Sequence, residues 1–335
     1  MKGKTINGYT LQSPLGIGGM AEVWLAENKL GKKAAVKLLL PQFCNDENVV
    51  QRFLTEAKVM LELSHHNIRQ VYDYGDIEGR PCIIMEYLDG GDLKSRLRTR
   101  QRFTEEELER WWNQLADALN YTHSKGIVHR DIKPGNIFVD SEGNIKLLDF
   151  GIAKVRESIS STQTGQKIGT LMYMSPEQVK DSKHLNHNTD IYSLAVTFVH
   201  LITGKMPYDS DTSSDFEISE AIVYRPLDLS GLPAAWRDFL SPYLAKQPEE
   251  RPALRHFSTD TPTDTIVNTT ANPIPTPKAP SDDEGTIVSS PTPPPRKQNT
   301  DDKTVLNETV RYCKRCGTPQ SPTARYCKKC GTKLS

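Results

Sequence analysis

Three short runs near the start of the chain, YTLQSPLG, AEVWLAENKL and KKAAVKLLL, are joined by turns that contain glycine. Runs of this kind predict β-strands. From Asn48 to Leu63, apolar residues instead recur at intervals of three and four, which predicts an amphipathic helix. PCIIMEYL then returns to a strand pattern. The first part of the chain therefore reads as strands, one helix and a further strand.

Two later stretches predict helices of different kinds. EEELERWWNQLADALNYTHSKG has one apolar face and ends at Gly126, whereas DIYSLAVTFVHLITG is apolar nearly all round. A helix without a polar face is expected inside a lobe of the protein. We expect one mixed domain from about Tyr9 to Phe257.

The composition changes after Phe257. Residues 258–310 contain nine prolines, twelve threonines and no aromatic residue. Ordering such a segment would cost more conformational entropy than burial of its side chains could return. We expect a disordered linker over 258–310 and a separate small unit over 311–335.

Lysine plus arginine and aspartate plus glutamate both total 42, so the net charge is zero and no global attraction to nucleic acid or membrane is implied. The charge is uneven, because residues 311–335 carry seven basic groups and no acidic one. No run of about 18 apolar residues is present, and the first residues lack the apolar core of a signal peptide. We expect a cytoplasmic protein without a membrane span.

Four of the six cysteines lie in the last segment, in two copies of a Cys-x-x-Cys-Gly motif. They are Cys313, Cys316, Cys327 and Cys330. Two such knuckles can supply four thiolates to a tetrahedral, structural Zn²⁺ site, which predicts a zinc ribbon. The alternative is a pair of disulfides or an unstructured redox tail. The basic ribbon could meet nucleic acid, an acidic protein or the acidic linker. Its few aromatic residues argue against nucleic acid.

The stretch GIGGMAEVWLA has three glycines in four residues before an apolar run. Alone, it fits an ordinary tight turn as well as a loop that closes on a phosphate. Downstream, Lys37 ends a predicted strand and Glu56 lies on the following helix. A buried lysine that faces phosphates needs a carboxylate partner, and a helix behind the strand could supply it.

Two further motifs carry groups suited to phosphate chemistry. In VHRDIKPGNIF, Asp131 can accept or orient a hydroxyl proton, Lys133 can neutralise phosphoryl charge, and Asn136 offers a carbonyl to a metal. In LLDFG, Asp149 follows a predicted strand, where its carboxylate could bind Mg²⁺.

In this order, GIGGMAEV, AAVK, HRDIKPGN, DFG and SPE resemble the protein kinase family over residues 9–257, and most closely the eukaryotic-like serine/threonine kinases of bacteria. The resemblance implies an α+β fold, with a small antiparallel β lobe and a larger helical lobe. It also implies ATP- and Mg²⁺-dependent transfer of phosphate to protein hydroxyls. Two alternatives are a kinase-fold scaffold without catalysis and a regulator whose zinc ribbon binds the partner.

The resemblance assigns a role to each motif residue. The loop that would cover the ATP phosphates consists of Gly16, Ile17, Gly18 and Gly19. Val23 would pack on the adenine, and Ala21 stands where the family has its third glycine. Lys37 would contact the phosphates and pair with Glu56. Asn136 and Asp149 would hold Mg²⁺, Asp131 would be the catalytic base, and Lys133 would steady the γ-phosphate.

The resemblance also places the adenine hinge at Glu86 and Tyr87, after Met85 as gatekeeper, where backbone groups would read the adenine edge. Asp92 would meet the ribose or the substrate. Supporting roles fall to Asp190, which would brace the catalytic loop, and to a Glu177–Arg251 pair. The family's final helix is short or absent here, because RPALRHF runs directly into STDTPTDT.

Several threonines are candidates for phosphorylation. Arg130 precedes the catalytic aspartate, and in this family such an arginine commonly binds a phosphate on the activation loop, here at Thr162 or Thr164. Lys133 and Thr170 favour serine/threonine substrates. Linker threonines preceded by acidic residues and followed by β-branched ones are Thr265, Thr286, Thr304 and Thr309. They could be autophosphorylated to bind a forkhead-associated domain, although composition alone can produce such strings.

Overall fold

A computed structural model describes residues 1–99, 102–151, 171–181, 185–208, 214–258, 311–312 and 319–320. The chain divides into two compact units, Met1–Thr265 and Ile266–Ser335. The expected linker over 258–310, apart from Ser258, and the four clustered cysteines lie outside these described ranges, as do Thr162, Thr164 and Thr170.

A six-stranded antiparallel sheet forms the small lobe, in the order β1-β2-β3-β4-β6-β5. Its strands are β1 (Thr5–Ile6), β2 (Tyr9–Ile17), β3 (Ala21–Asn28), β4 (Lys33–Leu39), β5 (Val71–Ile77) and β6 (Arg80–Glu86). The strands predicted from YTLQSPLG, AEVWLAENKL, KKAAVKLLL and PCIIMEYL are confirmed. Side chains alternate across β4, so Ala34, Val36 and Leu38 pack on the outer face. Lys37 therefore shares the inner face with Ala35 and Leu39, which belong to the main core.

Helix α1 (Glu47–Leu61) lies against this inner face, close to the predicted bounds. It begins at Asp46, whose carboxylate accepts the backbone N–H groups of Asn48 and Val49. Its buried side chains follow the helical period and are Phe53, Glu56, Ala57 and Met60. Glu56 thus lies on the face that meets the sheet, at 5% exposure.

The larger lobe is mainly helical, as the resemblance implied. Its described helices are α2 (Leu93–Thr99), α3 (Glu105–Ser124), α4 (Pro176–Lys180), α5 (Asn188–Thr203), α6 (Asp215–Tyr224) and α7 (Ala234–Leu240). A three-stranded sheet in the order β7-β8-β9 joins them, with β7 (Gly90–Asp92), β8 (Ile137–Asp140) and β9 (Ile145–Leu147). The two lobes together give the α+β class expected.

Helices α3 and α5 confirm the two helices predicted in this lobe. Thr104 and Glu107 form a capping box at the start of α3, and Gly126 follows its end with φ +73°. Helix α5 is buried along nearly its whole length and ends at Gly204, whose φ of 68° is left-handed. Both ends fall where glycine permits a backbone that other residues rarely adopt.

The loop between α1 and β5, residues 65–70, is bonded to β9 of the larger lobe. The N–H of Leu147 donates to Asn67 O (2.7 Å), and the N–H of Arg69 donates to Leu147 O (3.0 Å). The Asn67 side chain also donates to Ile145 O at 3.0 Å. This short parallel pairing joins the small lobe to the sheet that leads to Asp149.

The helical lobe ends in an extended segment, residues 252–258, which we call the C-terminal strap. Phe257 is 4% exposed, and its ring stacks on Trp236 with centroids 3.7 Å apart. The Trp112 indole donates to Arg255 O at 2.9 Å, and Asn120 donates to Leu254 O at 3.2 Å. The strap therefore covers the apolar surface at the point where the sequence lacks a full final helix.

In the second unit, β10 (Arg311–Tyr312) pairs antiparallel with β11 (Pro319–Gln320). Throughout the part of the chain that the structure describes, no helix combines the length and apolar character needed to cross a membrane.

Candidate active site

Lys37 lies between two carboxylates that come from different lobes. Its Nζ is 2.9 Å from Glu56 Oε1 on α1 and 2.7 Å from Asp149 Oδ2, just beyond β9. The side chains of Lys37 and Glu56 are 12% and 7% exposed, whereas that of Asp149 is 40% exposed. The ammonium is thus fixed from behind by Glu56 and faces the open cleft beside Asp149.

The charges of these groups are interdependent. Burial alone would lower the pKa of Lys37, but Asp149 and Glu56 outweigh it and raise that pKa above its usual value. Burial would raise the pKa of Asp149, but Lys37 and then Arg69 lower it to about 2. Burial raises the pKa of Glu56, since Lys37 offsets only part of the cost of desolvation. Near neutral pH, Asp149 is therefore an anion and Lys37 a cation.

The catalytic loop brings Asp131, Lys133 and Asn136 together. Asn136 Nδ2 donates to Asp131 Oδ2 at 2.7 Å and to its backbone O at 2.8 Å. Lys133 Nζ lies 3.0 Å from the same Oδ2. The Asp131 carboxylate is thus oriented by one amide and one ammonium group, at 9% exposure.

Asp190, at the start of α5, holds the backbone of this loop. Its carboxylate is fully buried and accepts the N–H of His129 (2.8 Å) and the N–H of Arg130 (2.7 Å). His123 Nε2 lies 2.8 Å from Oδ2. Arg130 has φ +67°, which is unfavourable for any residue with a Cβ. Asp190 therefore braces the loop, as expected, at its strained residue.

Gly151 packs directly on the catalytic loop. A Cβ at this position would lie 2.9 Å from Asp131 Cβ and 3.3 Å from His129 O. The N–H of Gly151 donates to the same His129 O at 2.8 Å. Only glycine allows this approach, which keeps the segment after Asp149 against the segment that carries Asp131.

The glycine loop links β2 and β3. The N–H of Gly18 donates to Ala21 O at 2.8 Å, and none of Gly16, Gly18 and Gly19 has a positive φ. Nothing lies within 4 Å of a Cβ built at Gly16. Gly16 therefore leaves open space beside the loop, and none of the three glycines provides a left-handed turn. Ile17 is 75% exposed, and Val23 packs against the main core.

The hinge contains contacts that the sequence did not predict. Glu86 Oε1 pairs with Lys146 Nζ of β9 at 2.9 Å, and its Oε2 accepts the N–H of Gln70 at 3.2 Å. The N–H of Glu86 donates to Gln70 O at 2.8 Å. Arg69 Nε donates to the backbone O of Glu86 at 3.1 Å. Arg69 and Gln70 lie in the loop before β5, and no pattern in the sequence indicated these contacts.

Two other expected residues have structural partners. The Asp92 carboxylate accepts the N–H and the hydroxyl of Ser95 at 2.8 and 2.9 Å, and so holds the start of α2. Arg251 binds Glu177 through two parallel hydrogen bonds of 2.7 and 2.9 Å. The Arg251 side chain is fully buried in this pair.

The residues expected to hold Mg²⁺ have suitable donor atoms. Asn136 uses its Nδ2 on Asp131, which leaves its amide oxygen without a hydrogen bond to any described residue. Asp149 binds Lys37 through Oδ2 and is otherwise the most open of the three charged groups. A carboxylate and an amide carbonyl are oxygen ligands of the kind that Mg²⁺ prefers alongside phosphate and water. This donor set fits the metal that the resemblance implies.

A β lobe placed over a helical lobe, with these charges in the cleft between them, defines a phosphotransferase of the kinase type. The chain belongs to the protein kinase family, since the family's protein kinase domain matches residues 9–261. It is 36% identical to the serine/threonine-protein kinase PknA of Mycobacterium tuberculosis over 260 residues, which are 74% of this chain and 59% of the relative. It is 38% identical to PrkC of Bacillus subtilis over 213 residues, 63% of this chain and 33% of that kinase. The matched region thus spans between about a third and three fifths of these relatives.

Proposed function

We propose that this chain is a serine/threonine protein kinase that transfers the γ-phosphate of ATP, with Mg²⁺, to protein hydroxyls. The observation that best supports the proposal is that the Lys37 ammonium contacts both Glu56 and Asp149. That contact joins the small lobe to the segment that would hold the metal. Because ATP is a cytoplasmic nucleotide, we place the reaction in the cytoplasm.

Each side chain would act on one part of the transfer. Mg²⁺ bound to ATP would offset phosphate charge, held by Asn136 and Asp149. Lys37, fixed by Glu56, would orient the α- and β-phosphates. Asp131 would accept or orient the proton of the attacking hydroxyl. Lys133, 3.0 Å from Asp131 Oδ2, would stabilise negative charge on the transferred group.

Specificity for serine and threonine has two supports. Lys133 lies two residues after Asp131, as the resemblance to serine/threonine kinases requires. The relatives PknA and PrkC are named serine/threonine-protein kinases. The scaffold alternative is less favoured, because a chain without catalysis has no need to keep both the Lys37–Asp149 pair and the Asp131–Asn136 pair.

The test is incubation of purified protein with Mg·ATP and a generic protein substrate, followed by mapping of the phosphosites. Asp131→Asn is the matched variant, since it keeps the size of the side chain and removes the carboxylate. We expect phosphoserine and phosphothreonine with the parent and near-background transfer with the variant. Transfer at equal rates from both proteins, or none from the parent, would contradict the assignment.

We propose activation by phosphate on Thr162 or Thr164. The support is Arg130, whose Nε is buried and, among the described residues, has no hydrogen-bond partner. A phosphothreonine could satisfy that guanidinium and order the loop that carries it. Full activation of a Thr162→Ala/Thr164→Ala double variant would show that activation has another cause.

We propose that the linker is a second set of autophosphorylation sites at Thr265, Thr286, Thr304 and Thr309. A tethered segment is at high effective concentration near the active site of its own chain. Its phosphothreonines would recruit an arginine-bearing module such as a forkhead-associated domain. Mass spectrometry should find these four sites modified ahead of Thr276 and Thr292, which precede proline. Phosphate confined to residues 152–170 would contradict the proposal.

We propose that residues 311–335 form a zinc ribbon held by Cys313, Cys316, Cys327 and Cys330. The support is the spacing of the two knuckles in the sequence, and the antiparallel pairing of Arg311–Tyr312 with Pro319–Gln320 on either side of the first one. Its partner is a protein surface of acidic character, which suits seven basic groups.

A further inference from the structure

Arg69 occupies an unusual place for an arginine. Its neighbours Ile68 and Val71 are 1% and 2% exposed, so it lies within the apolar wall between the two lobes. Its backbone N–H donates to Leu147 O at 3.0 Å, and its side-chain Nε donates to Glu86 O at 3.1 Å. The residue therefore spans from β9 to the hinge, with its guanidinium at the hinge backbone.

This contact falls on an atom expected to meet the nucleotide base. If the chain binds ATP as its family does, the hinge backbone reads the edge of the purine. The N–H of Glu86 is already used by Gln70 O at 2.8 Å, so at this residue of the hinge the carbonyl oxygen is the backbone group left for a base. A carbonyl oxygen has two lone pairs, and Arg69 occupies one of them. A base would share this oxygen with a cation.

The geometry of the guanidinium places a second donor next to the first. The Nε–H and one Nη–H of arginine point in parallel, as a fork. Within the described part of the chain, Nε to Glu86 O is the one hydrogen bond of the Arg69 side chain, and none of its nitrogens is among the buried atoms without a partner. The Nη groups are therefore not fully buried, and the charge of Asp149, a residue of the cleft, acts on the guanidinium. Burial lowers the pKa of Arg69 and Asp149 opposes it, but a guanidinium remains protonated.

We propose that Arg69 is a base-selectivity determinant that lets the hinge accept purine nucleotides with an oxygen at C6 in addition to ATP. A 6-oxo group accepts a hydrogen bond from the exposed Nη–H beside the Glu86 carbonyl. The 6-amino group of adenine donates to the remaining lone pair but also meets the positive donor. The hinge therefore presents both a hydrogen-bond acceptor and a donor to the base, whereas a pocket without Arg69 would present the acceptor alone. The inference rests on the kinase activity proposed above.

The test compares ATP with inosine triphosphate, which carries an oxygen at C6 and lacks the 2-amino group of GTP. The kcat/KM for each nucleotide is measured for the parent and for Arg69→Met, which keeps a long side chain but removes every donor. Arg80→Met is the matched control, because Arg80 also donates Nε to a backbone carbonyl, that of Leu39 at 2.9 Å, from the opposite end of β6. Thermal unfolding of all three proteins reports their folding.

We expect Arg69→Met to lower the inosine-to-adenosine ratio of kcat/KM by about tenfold, the effect of one hydrogen bond from a charged donor. Arg80→Met should leave that ratio unchanged. An equal loss for both nucleotides in Arg69→Met would reduce Arg69 to a brace between β9 and the hinge and would overturn the inference. The inference would also be overturned if the parent enzyme used ATP but transferred no phosphate from inosine triphosphate. This measurement needs no variant.

Failure of the proposed activity is distinguishable from failure of this inference. If the parent transfers phosphate from neither nucleotide, the kinase assignment fails. In that case, the shift in unfolding temperature that each Mg-nucleotide produces compares the binding of the two nucleotides without catalysis. If Arg69→Met does not fold, Arg69→Leu, which is shorter and also has no donor, is read in the same way.

Discussion

The side-chain amide of Asn113 exchanges two hydrogen bonds with the backbone of Phe257, donating Nδ2 to its O at 3.0 Å and accepting its N–H on Oδ1 at 2.7 Å. The amide thus makes the two backbone hydrogen bonds that a neighbouring β-strand would otherwise make. This pair fixes the strap along α3 and holds the Phe257 ring on Trp236. The helical lobe is thus closed by side-chain hydrogen bonds and one aromatic stack.

We expect Phe257→Ala to lower the free energy of unfolding by about 3 kcal/mol or more, because it removes a buried ring and leaves a cavity beside Trp236. Urea unfolding monitored by tryptophan fluorescence measures the change. His256→Ala is the control, since His256 is 59% exposed in its pair with Asp117 and should cost little. Equal stability of both variants would mean that the strap contributes nothing to closure.

Lys37→Met and Asp149→Asn should each reduce phosphate transfer by about two orders of magnitude or more, because each removes a charge placed at the phosphates. Steady-state kinetics with Mg·ATP give the change, and circular dichroism checks that the fold persists. Arg237→Gln, at an exposed pair with Asp238, is the control and should retain parental activity. Near-normal turnover of either cleft variant would refute the assigned site.

Stability should fall in acid because of His200. Its Nδ1 lies 2.7 Å from the Tyr173 hydroxyl, and burial lowers its pKa from 6.5 to about 4. The unfolded chain therefore takes up this proton at higher pH than the folded one. The free energy of unfolding contributed by His200 is complete above pH 6.5 and is lost as the pH falls toward 4, by about 3 kcal/mol in total.

The measurement is urea unfolding at several pH values from 7 to 4.5, for the parent and for His200→Gln. The parent should lose stability more steeply, by the equivalent of about one proton. His129, another buried histidine with a pKa lowered by burial, is present in both proteins and cancels. Parallel curves would show that His200 does not titrate as described.

Metal analysis tests the ribbon. We expect about one Zn²⁺ per chain, released by a strong chelator, since four cysteines make one tetrahedral site. Cys316→Ser should abolish tight zinc binding and leave transfer to a generic substrate largely intact. Cys44→Ser, outside the ribbon, should keep the metal. A metal-free protein without reactive thiols in residues 311–335 would favour the disulfide alternative.

Periodicity predicted the parts of the site that regular elements deliver. The two-residue period of β4 fixes the face of Lys37, and the 3.6-residue period of α1 turns Glu56 toward it. Asp46, which caps α1 in the structure, and Gly204, which ends α5, are local features of the same kind. The family motifs then identified the catalytic loop, and the structure brings its residues together.

What the sequence did not predict depends on long side chains or on a segment without repetitive structure. Nothing in a pattern indicates that Arg69 extends to the backbone of Glu86, because its four torsions are set by packing. The Asn113–Phe257 pair joins positions 144 residues apart. The sequence indicated that the final helix is short or absent. It did not indicate which residues take its place, because the hydrogen bonds that hold them form only in the folded lobe.

The pairing of the loop over 65–70 with β9 also decides how the cleft opens. This loop belongs by sequence to the small lobe, yet Asn67 and Arg69 are bonded to Leu147. If the lobes separate, we expect these bonds to keep the loop with the larger lobe, so that the sheet turns about the end of α1 and the hinge at Glu86. The front of the cleft, beneath the glycine loop, would then widen most, and the loop over 65–70 would move least. We therefore expect nucleotide to enter and leave through the front of the cleft.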